Sequence, residues 1–383
     1  MDFSLTEEEE TAVAEFRRFL DAEIRPVANE YRGKPIPKEV AQATLKRLLP
    51  FGMGNGLVSE ELGGLGLSTT MVGLLFLELA QVSPDLSIVV LIQLEAGMIL
   101  ATAEERFRQE YLAPLLEGNR LGAIAISEPG AGSNIAEITC RAQTVEDGYV
   151  IRGEKQWISN GHYSDFLICV ARVLSESGED QGIGLFVVDR EQGYQTSNIP
   201  KMALNGQSTA QVFFDDVRVP ASAILAPGGQ GLKRLLALLE GSRPLVSLMA
   251  VAISQVALEE SIRYASDRSQ HGKVIAAHQL IQARIAEMSV QLDAARLLSF
   301  LALDRIDRGL SSELESAKAK YFATEAAVTI TRHALAIHGA NGVTLEYNVE
   351  ELYRIAPILA VTEGTPEMQK LIIGRRLLGV AAF

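Results

Sequence analysis

Cysteine is almost absent from this chain: Cys140 and Cys169 are the only two among 383 residues. Two cysteines give no disulfide framework and no metal-ligand spacing, and they point to a reducing compartment. Both lie in strand-like runs, where a cysteine is by default a small buried hydrophobe. Histidine is scarce as well. His162, His271, His278, His333 and His338 show no HExxH or similar spacing, so no metal is expected. No GxSxG elbow and no Cys/His pairing by position suggest a nucleophilic hydrolase. Basic residues are outnumbered 35 to 48, and the resulting charge of −13 argues against nucleic acid as a partner. Apolar runs such as 86–92 are far shorter than a bilayer requires, so no membrane insertion is expected. Met1-Asp2-Phe3-Ser4 resembles neither a signal peptide nor an Arg-rich transit peptide, and the expected location is cytoplasmic.

What the chain does contain is an ordinary globular balance, 48% hydrophobic and 22% charged, at a length that calls for two or three packed units. Hydrophobic period divides it into three. Residues 1–118 read as helical, opening on a capping-box pattern at Ser4-Leu5-Thr6-Glu7 with Val13, Phe16 and Leu20 at helical spacing. A glycine-rich ordered loop at 52–66 interrupts them, and helical periodicity returns at 70–80, 88–100 and 103–116. Residues 119–228 change to short β-rich runs at 121–126, 139–145, 149–155, 166–173, 184–189 and 212–219, with Asp147-Gly148 as a hairpin signal. This is a small β barrel or sandwich. Residues 229–383 are helical again, at 231–240, 245–269, 275–308 and 311–338 and a last helix, which implies an antiparallel bundle. The expected fold class is α+β, mostly α: an N-terminal helical domain, a middle β domain and a C-terminal four-helix bundle.

Several stretches could carry chemistry. The most pointed is Val361-Thr362-Glu363-Gly364-Thr365-Pro366, where an apolar run leads to a lone carboxylate and a glycine, and Thr365-Pro366 then starts the last helix as N-cap and first helical residue. On this stretch alone a solvated turn glutamate is the favoured reading. Ser127-Glu128-Pro129-Gly130-Ala131-Gly132-Ser133 follows a strand and offers hydroxyls and free backbone N–H groups, yet no helix follows it in a βαβ unit, so it is no dinucleotide fingerprint. Such a loop wraps polar atoms of a flat cofactor, or is a plain turn. Trp157, the only tryptophan, stands in Trp157-Ile158-Ser159-Asn160-Gly161 and is either core or a cofactor wall. Arg268 ends a long helix, either as a cation at a helix C-terminus or as a phosphate contact.

In order, these stretches resemble the acyl-CoA dehydrogenase family over essentially the whole chain. Ser127–Ser133 resembles its T-E-P-G-A-G-S loop, and the Trp157 stretch resembles W-I-T-N-G. Arg268-Ser269-Gln270-His271-Gly272, followed by His278-Gln279, resembles R-x-x-F-G and its sequel. Gly339-Ala340-Asn341-Gly342 resembles G-G-N-G, and Thr362-Glu363-Gly364-Thr365 resembles Y-E-G-T.

The resemblance implies a homotetrameric flavoenzyme with FAD between the β domain and the bundle, dehydrogenating an acyl thioester at its α,β bond. It also implies an electron-transfer flavoprotein as electron acceptor. An ordinary glutamate is a poor base for a thioester α proton, so the base must be positioned and desolvated while the β hydrogen leaves as hydride to the flavin. By matching position, Glu363 is that base. Ile126, Ser127, Ser133, Trp157, Ile158 and Ser159 match flavin-side contacts, Thr365 and Glu367 match the helix start near FAD, and Arg268, His271, Gln279 and Gly339 match FAD contacts given from a partner subunit. Ser133, Glu240, Arg243 and Gly364 match positions along the thioester. In some branches the base precedes that arginine, but here Ser242 does, which leaves the role to Glu363.

Departures bear on the substrate. His271 replaces a usual Phe, Thr362 a usual aromatic, Ile355 a common acid, and Ala336 stands where many members are polar. Thr362 leaves room beside the base for a bulkier acyl group, or for one presented on a carrier protein rather than CoA. A flavin oxidase or monooxygenase on the same scaffold is the competing class; it usually lacks the base that Glu363 supplies. A non-catalytic relative is the third.

Overall fold

The computed structural model describes residues 4–380 and 382. Helices form wherever the sequence shows a 3.6-residue apolar repeat, although their ends differ from the expected ones. The first, Glu7–Phe19, is capped by Thr6 with Glu9 closing the capping box, two residues later than the Ser4/Glu7 pattern suggests. Four consecutive glutamates fill its first turn, where they complement the helix dipole. Two apolar helices follow, Thr69–Val82 and Pro84–Ala101, each started by a serine hydroxyl that accepts from a backbone N–H of the first turn. The segment expected as one helix over 103–116 is a succession of short α- and π-helical turns, with Pro114 breaking the regular pattern.

The middle of the chain forms one eight-stranded sheet. Its strands are β1 (Gly122–Ala125), β2 (Arg141–Val145), β3 (Gly148–Ser159), β4 (Phe166–Leu174), β5 (Asp180–Asp189), β6 (Gln195–Asn198), β7 (Thr209–Pro220) and β8 (Ile224–Ala226), in the order β6-β7-β3-β2-β4-β5-β8. β1 and β2 both run parallel to β4, at opposite ends of it, and the remaining pairs are antiparallel. The Asp147-Gly148 signal falls at the β2–β3 connection, as its hairpin chemistry requires. β4 is buried nearly throughout and reads as a continuous apolar run for that reason.

In the last part of the chain one 37-residue helix, Gly231–Asp267, replaces the two expected at 231–240 and 245–269. Pro244 lies inside it, so the chain keeps helical direction although proline removes a backbone donor. Gln279–Asp307, Glu313–His338, Val349–Val361 and Pro366–Leu378 complete the helical region. The expected helix at 275–308 begins with a separate turn at Ile275–Ala277.

Three apolar clusters hold these parts together. The largest joins Phe16, Phe76 and Leu94 of the N-terminal helices to Leu248, Ile330 and Leu359 of the C-terminal ones, so both helical regions share one core. A second places Leu100, Leu115 and Leu235 against one face of the sheet through Phe166 and Leu185. The third, with Ile151, Leu167 and Phe186, fills the other sheet face. Pro84–Ala101 and Gly231–Asp267 are long and apolar enough to cross a membrane by length and composition, but in each the most apolar window is 72% buried inside this fold.

Candidate active site

Glu363 follows the Val349–Val361 helix, which closes on Thr362 in extended conformation. Glu363 itself has φ 53 and Gly364 φ 100, so the chain passes through two consecutive left-handed residues. Such a φ is uncommon for a side chain as long as glutamate. Glycine is needed next, because a Cβ on Gly364 would lie 2.8 Å from the Gln369 amide nitrogen. The turn then enters Pro366–Leu378 through the Thr365 cap, whose hydroxyl accepts from the Met368 N–H. The sequence anticipates that start, but takes the apolar lead-in as a plain run; it is a helix end.

Two side chains from elsewhere fix this turn. Lys320, fully buried on the Glu313–His338 helix, donates to the carbonyl of Ala360 and, at 2.6 Å, to that of Gly364. Burial pushes its ammonium down to about 8, partly offset by the Glu363 carboxylate. Gln369 also donates to the Gly364 carbonyl at 3.2 Å. The ties bracket Glu363 on both sides and leave its carboxylate half-buried, accepting from the Ser242 hydroxyl at 2.7 Å.

Glu95 lies behind that pair. It sits on Pro84–Ala101, is 5% exposed, lines the same cavity as Glu363, and has Glu363 and Ser242 as the polar groups that act on its carboxyl. Burial, then the adjacent Glu363 charge, pushes its carboxyl well above the usual carboxylate range. Arg243 follows Ser242 on the long helix; it is buried, its Nε has no partner among the described residues, and burial lowers its affinity for its proton against the pull of Glu363. Glu240, one turn earlier, accepts from the backbone N–H and hydroxyl of Ser312 at 2.9 and 3.0 Å.

These groups open into a cavity of about 1150 Å³. Its other walls are the face Ile88, Leu91 and Ile92 of the Glu95 helix, Leu238 and Leu239 of the long helix, and the end of the sheet. Ile126, Ser127, Ser133, Trp157, Ile158 and Ser159 all line it, with Glu240, Arg243, Glu363, Gly364 and Thr365 opposite. Trp157 is 56% exposed at a β-bulge of β3 with φ 66, so its indole is a wall of the cavity and not part of the core. The Ser127 loop is held beside it by an ion pair. Lys155, fully buried, donates to Glu128 and to the Ile126 carbonyl, both at 2.8 Å. Glu128 also accepts from the N–H groups of Thr139 and Cys140. Burial works against ionisation of Glu128, but these donors outweigh it and hold its carboxyl below the usual range.

Arg268, His271, Gln279 and Gly339 do not reach that cavity. They line a second one of about 610 Å³ with Tyr264, His338 and Asn341. His271-Gly272, at φ 53 and 77, form the two-residue turn between the short antiparallel strands Ser269–Gln270 and Lys273–Val274. Glu367 lines neither cavity and is exposed in the first turn of its helix, its carboxyl held low by its own N–H and by the Thr365 hydroxyl. Glu95, Lys320 and Lys155 are absent from the sequence reading. For Glu95 a signal exists: it is the only charged residue between Asp85 and Glu104, in a helix buried on nearly all sides.

Three family models match in order: "Acyl-CoA dehydrogenase, N-terminal domain" over 6–119, the middle domain over 123–217 and the C-terminal domain over 229–378. The Bacillus subtilis (strain 168) protein named "Probable acyl-CoA dehydrogenase YngJ" is 34% identical over 382 residues, spanning 99% of this chain and 100% of that one. The solved butyryl-CoA dehydrogenase of Megasphaera elsdenii superposes with a TM-score of 0.91 at 29% identity, covering 99% of this chain and 100% of that one. A glutaryl-CoA dehydrogenase of Mycobacterium smegmatis in complex with FADH2 gives 0.91 at 28% identity, covering 99% and 96%.

Proposed function

The chain belongs to the acyl-CoA dehydrogenase family, FAD-dependent oxidoreductases of CH–CH bonds, and from that premise we propose that Glu363 is the base that takes the α proton of an acyl-CoA thioester. One observation carries the proposal. The Glu363 carboxylate is held at the wall of an otherwise largely apolar cavity by the Ser242 hydroxyl, on a turn that two buried side chains tie at both ends. A solvated turn glutamate needs none of this.

The residues present fit a flavin. An exposed indole, a glycine-rich loop with the Ser127 and Ser133 hydroxyls, and Ser159 form one side of a cavity large enough for a flat ring and an acyl chain together. Ile126, Ser127, Ser133, Trp157, Ile158, Ser159 and Thr365 would hold FAD from within the protomer, whereas Glu367, outside the cavity, is not placed to do so. FAD supplies the hydride acceptor. The chain itself binds the acyl group along Ile88, Leu91 and Ile92, aims the Glu363 carboxylate at the α carbon, and offers the Glu363 backbone to polarise the thioester carbonyl. Arg243, a buried cation with a free Nε donor, suits an anionic or carbonyl group of the CoA arm, with Ser133 and Glu240 beside it.

The remoteness of Arg268, His271, Gln279 and Gly339 from this cavity is what a shared site requires. In this reading a second subunit brings them to the far end of FAD, and the assembly is a homotetramer. An electron-transfer flavoprotein receives the electrons.

Glu363→Gln tests the reading. It keeps size and the Ser242 hydrogen bond but removes the base. FAD content and fold should stay normal while anaerobic bleaching by acyl-CoA falls by at least about 10²–10⁴-fold, as loss of a general base does. Bleaching at the wild-type rate places the base elsewhere. The same assay with acyl-carrier-protein thioesters, and with oxygen as acceptor, separates the dehydrogenase from its alternatives.

A further inference from the structure

Glu95 is a second carboxyl at the base, and nothing in the dehydrogenation chemistry calls for it. Its Oε1 is buried without any partner among the described donors, and the group it faces, Glu363, is itself a carboxylate. Two carboxylates in contact away from water repel, while an acid and a carboxylate share a strong hydrogen bond. The missing partner is therefore a proton. The surroundings agree: Glu95 lies in an apolar helix with Leu91, Ile92 and Leu94 about it, whereas Glu363 is half-buried and takes the Ser242 hydrogen bond. Arg243 of the long helix and Lys320 of the Glu313–His338 helix act electrostatically on Glu363, and neither is among the groups acting on Glu95.

We propose that Glu95 is a positioning residue for Glu363: as the neutral acid it donates a hydrogen bond to the Glu363 carboxylate, so that the pair holds one proton and the base is clamped between Glu95 and Ser242. This rests on Glu363 being the base. The clamp fixes which oxygen of Glu363 is left free toward the substrate. Loss of the Glu95 proton as pH rises turns the clamp into repulsion, so the rate depends on an ionisation that belongs to Glu95.

The test uses the FAD-loaded protein and three variants. Glu95→Gln keeps a donor toward Glu363 and cannot ionise. Its bleaching rate by acyl-CoA on the low-pH side of the Glu95 ionisation should stay within about threefold of wild type, and that ionisation should vanish from its pH–rate profile. Lys320, pushed down to about 8, stays in both proteins, so the difference isolates Glu95. Glu95→Leu removes the donor and should slow bleaching roughly tenfold, the worth of one hydrogen bond to a charged group. Stability gives a readout free of activity. A carboxyl held high in the folded state stabilises fully below its unfolded pKa and loses that contribution as pH rises through the folded one. The melting temperature of Glu95→Gln should thus gain on wild type steadily from about pH 5 upward. A pH-independent melting difference shows Glu95 to be an ordinary ionised group and overturns the proposal. So does a Glu95→Gln profile that keeps every ionisation of the wild type. Glu363→Gln, run alongside, fails separately: full activity there refutes the base while leaving the Glu95 melting shift intact.

Discussion

Lys320→Met examines how the turn of Glu363, the proposed base, is held. Methionine fills nearly the same volume but donates nothing, so the Ala360 carbonyl loses its side-chain donor while the Gly364 carbonyl keeps Gln369. A buried carbonyl left unpaired costs about 1–3 kcal/mol, and removing a desolvated ammonium returns part of that, so the net destabilisation should be about 1–2 kcal/mol. Activity should suffer more than stability. The lysine fixes the backbone on both sides of Glu363, and a misplacement of about 1 Å at a reacting group costs up to about 10²-fold. The sign of the pH effect is also fixed. With a folded value near 8 against an ordinary value of about 10.4, the unfolded chain holds the proton more tightly between them. Wild-type stability should therefore rise across that window relative to Lys320→Met. Thermal melts from pH 7 to 10 and single-turnover bleaching measure the two effects. Wild-type bleaching in a variant that melts lower would show that Lys320 is structural only, and a melting difference flat in pH would remove the argument about its charge.

Arg243→Lys should raise KM for acyl-CoA roughly tenfold or more with flavin content unchanged, because a point charge cannot reproduce the guanidinium donors; unchanged kinetics would return Arg243 to a packing role. His271→Phe restores the family aromatic but places it at φ 53, a conformation His tolerates better than Phe, so strain opposes any gain in stacking. FAD retention after dilution should then change by less than about threefold, and a tenfold tightening would show that the turn relaxes.

Local signals were the legible ones. Thr365-Pro366 and Asp147-Gly148 carry their geometry in adjacent residues, and the structure starts a helix at the one and turns a hairpin at the other, while the loops at Ser127 and Trp157 line the large cavity. The long helix through Pro244 was not legible, because proline normally argues for a break and only the packing of Leu245, Val246 and Leu248 into the large core sustains it. Glu95, Lys320 and Lys155 escaped for a different reason. Each acts on a partner 27 or more residues away, and in sequence each is one charge in an otherwise ordinary helix or strand. The separation of Arg268, His271, Gln279 and Gly339 from the Ser127 and Trp157 loops was expected from the resemblance alone, and the two groups line different cavities.

The left-handed backbone at Glu363 bears on how this protein can be changed. A long side chain at φ 53 costs about 1 kcal/mol relative to residues that accept that conformation, such as asparagine. With Glu363 as the proposed base, replacements that relieve this strain remove the base by the same stroke. Breeding this chain for heat resistance alone would thus drift toward a sturdier protein with no chemistry.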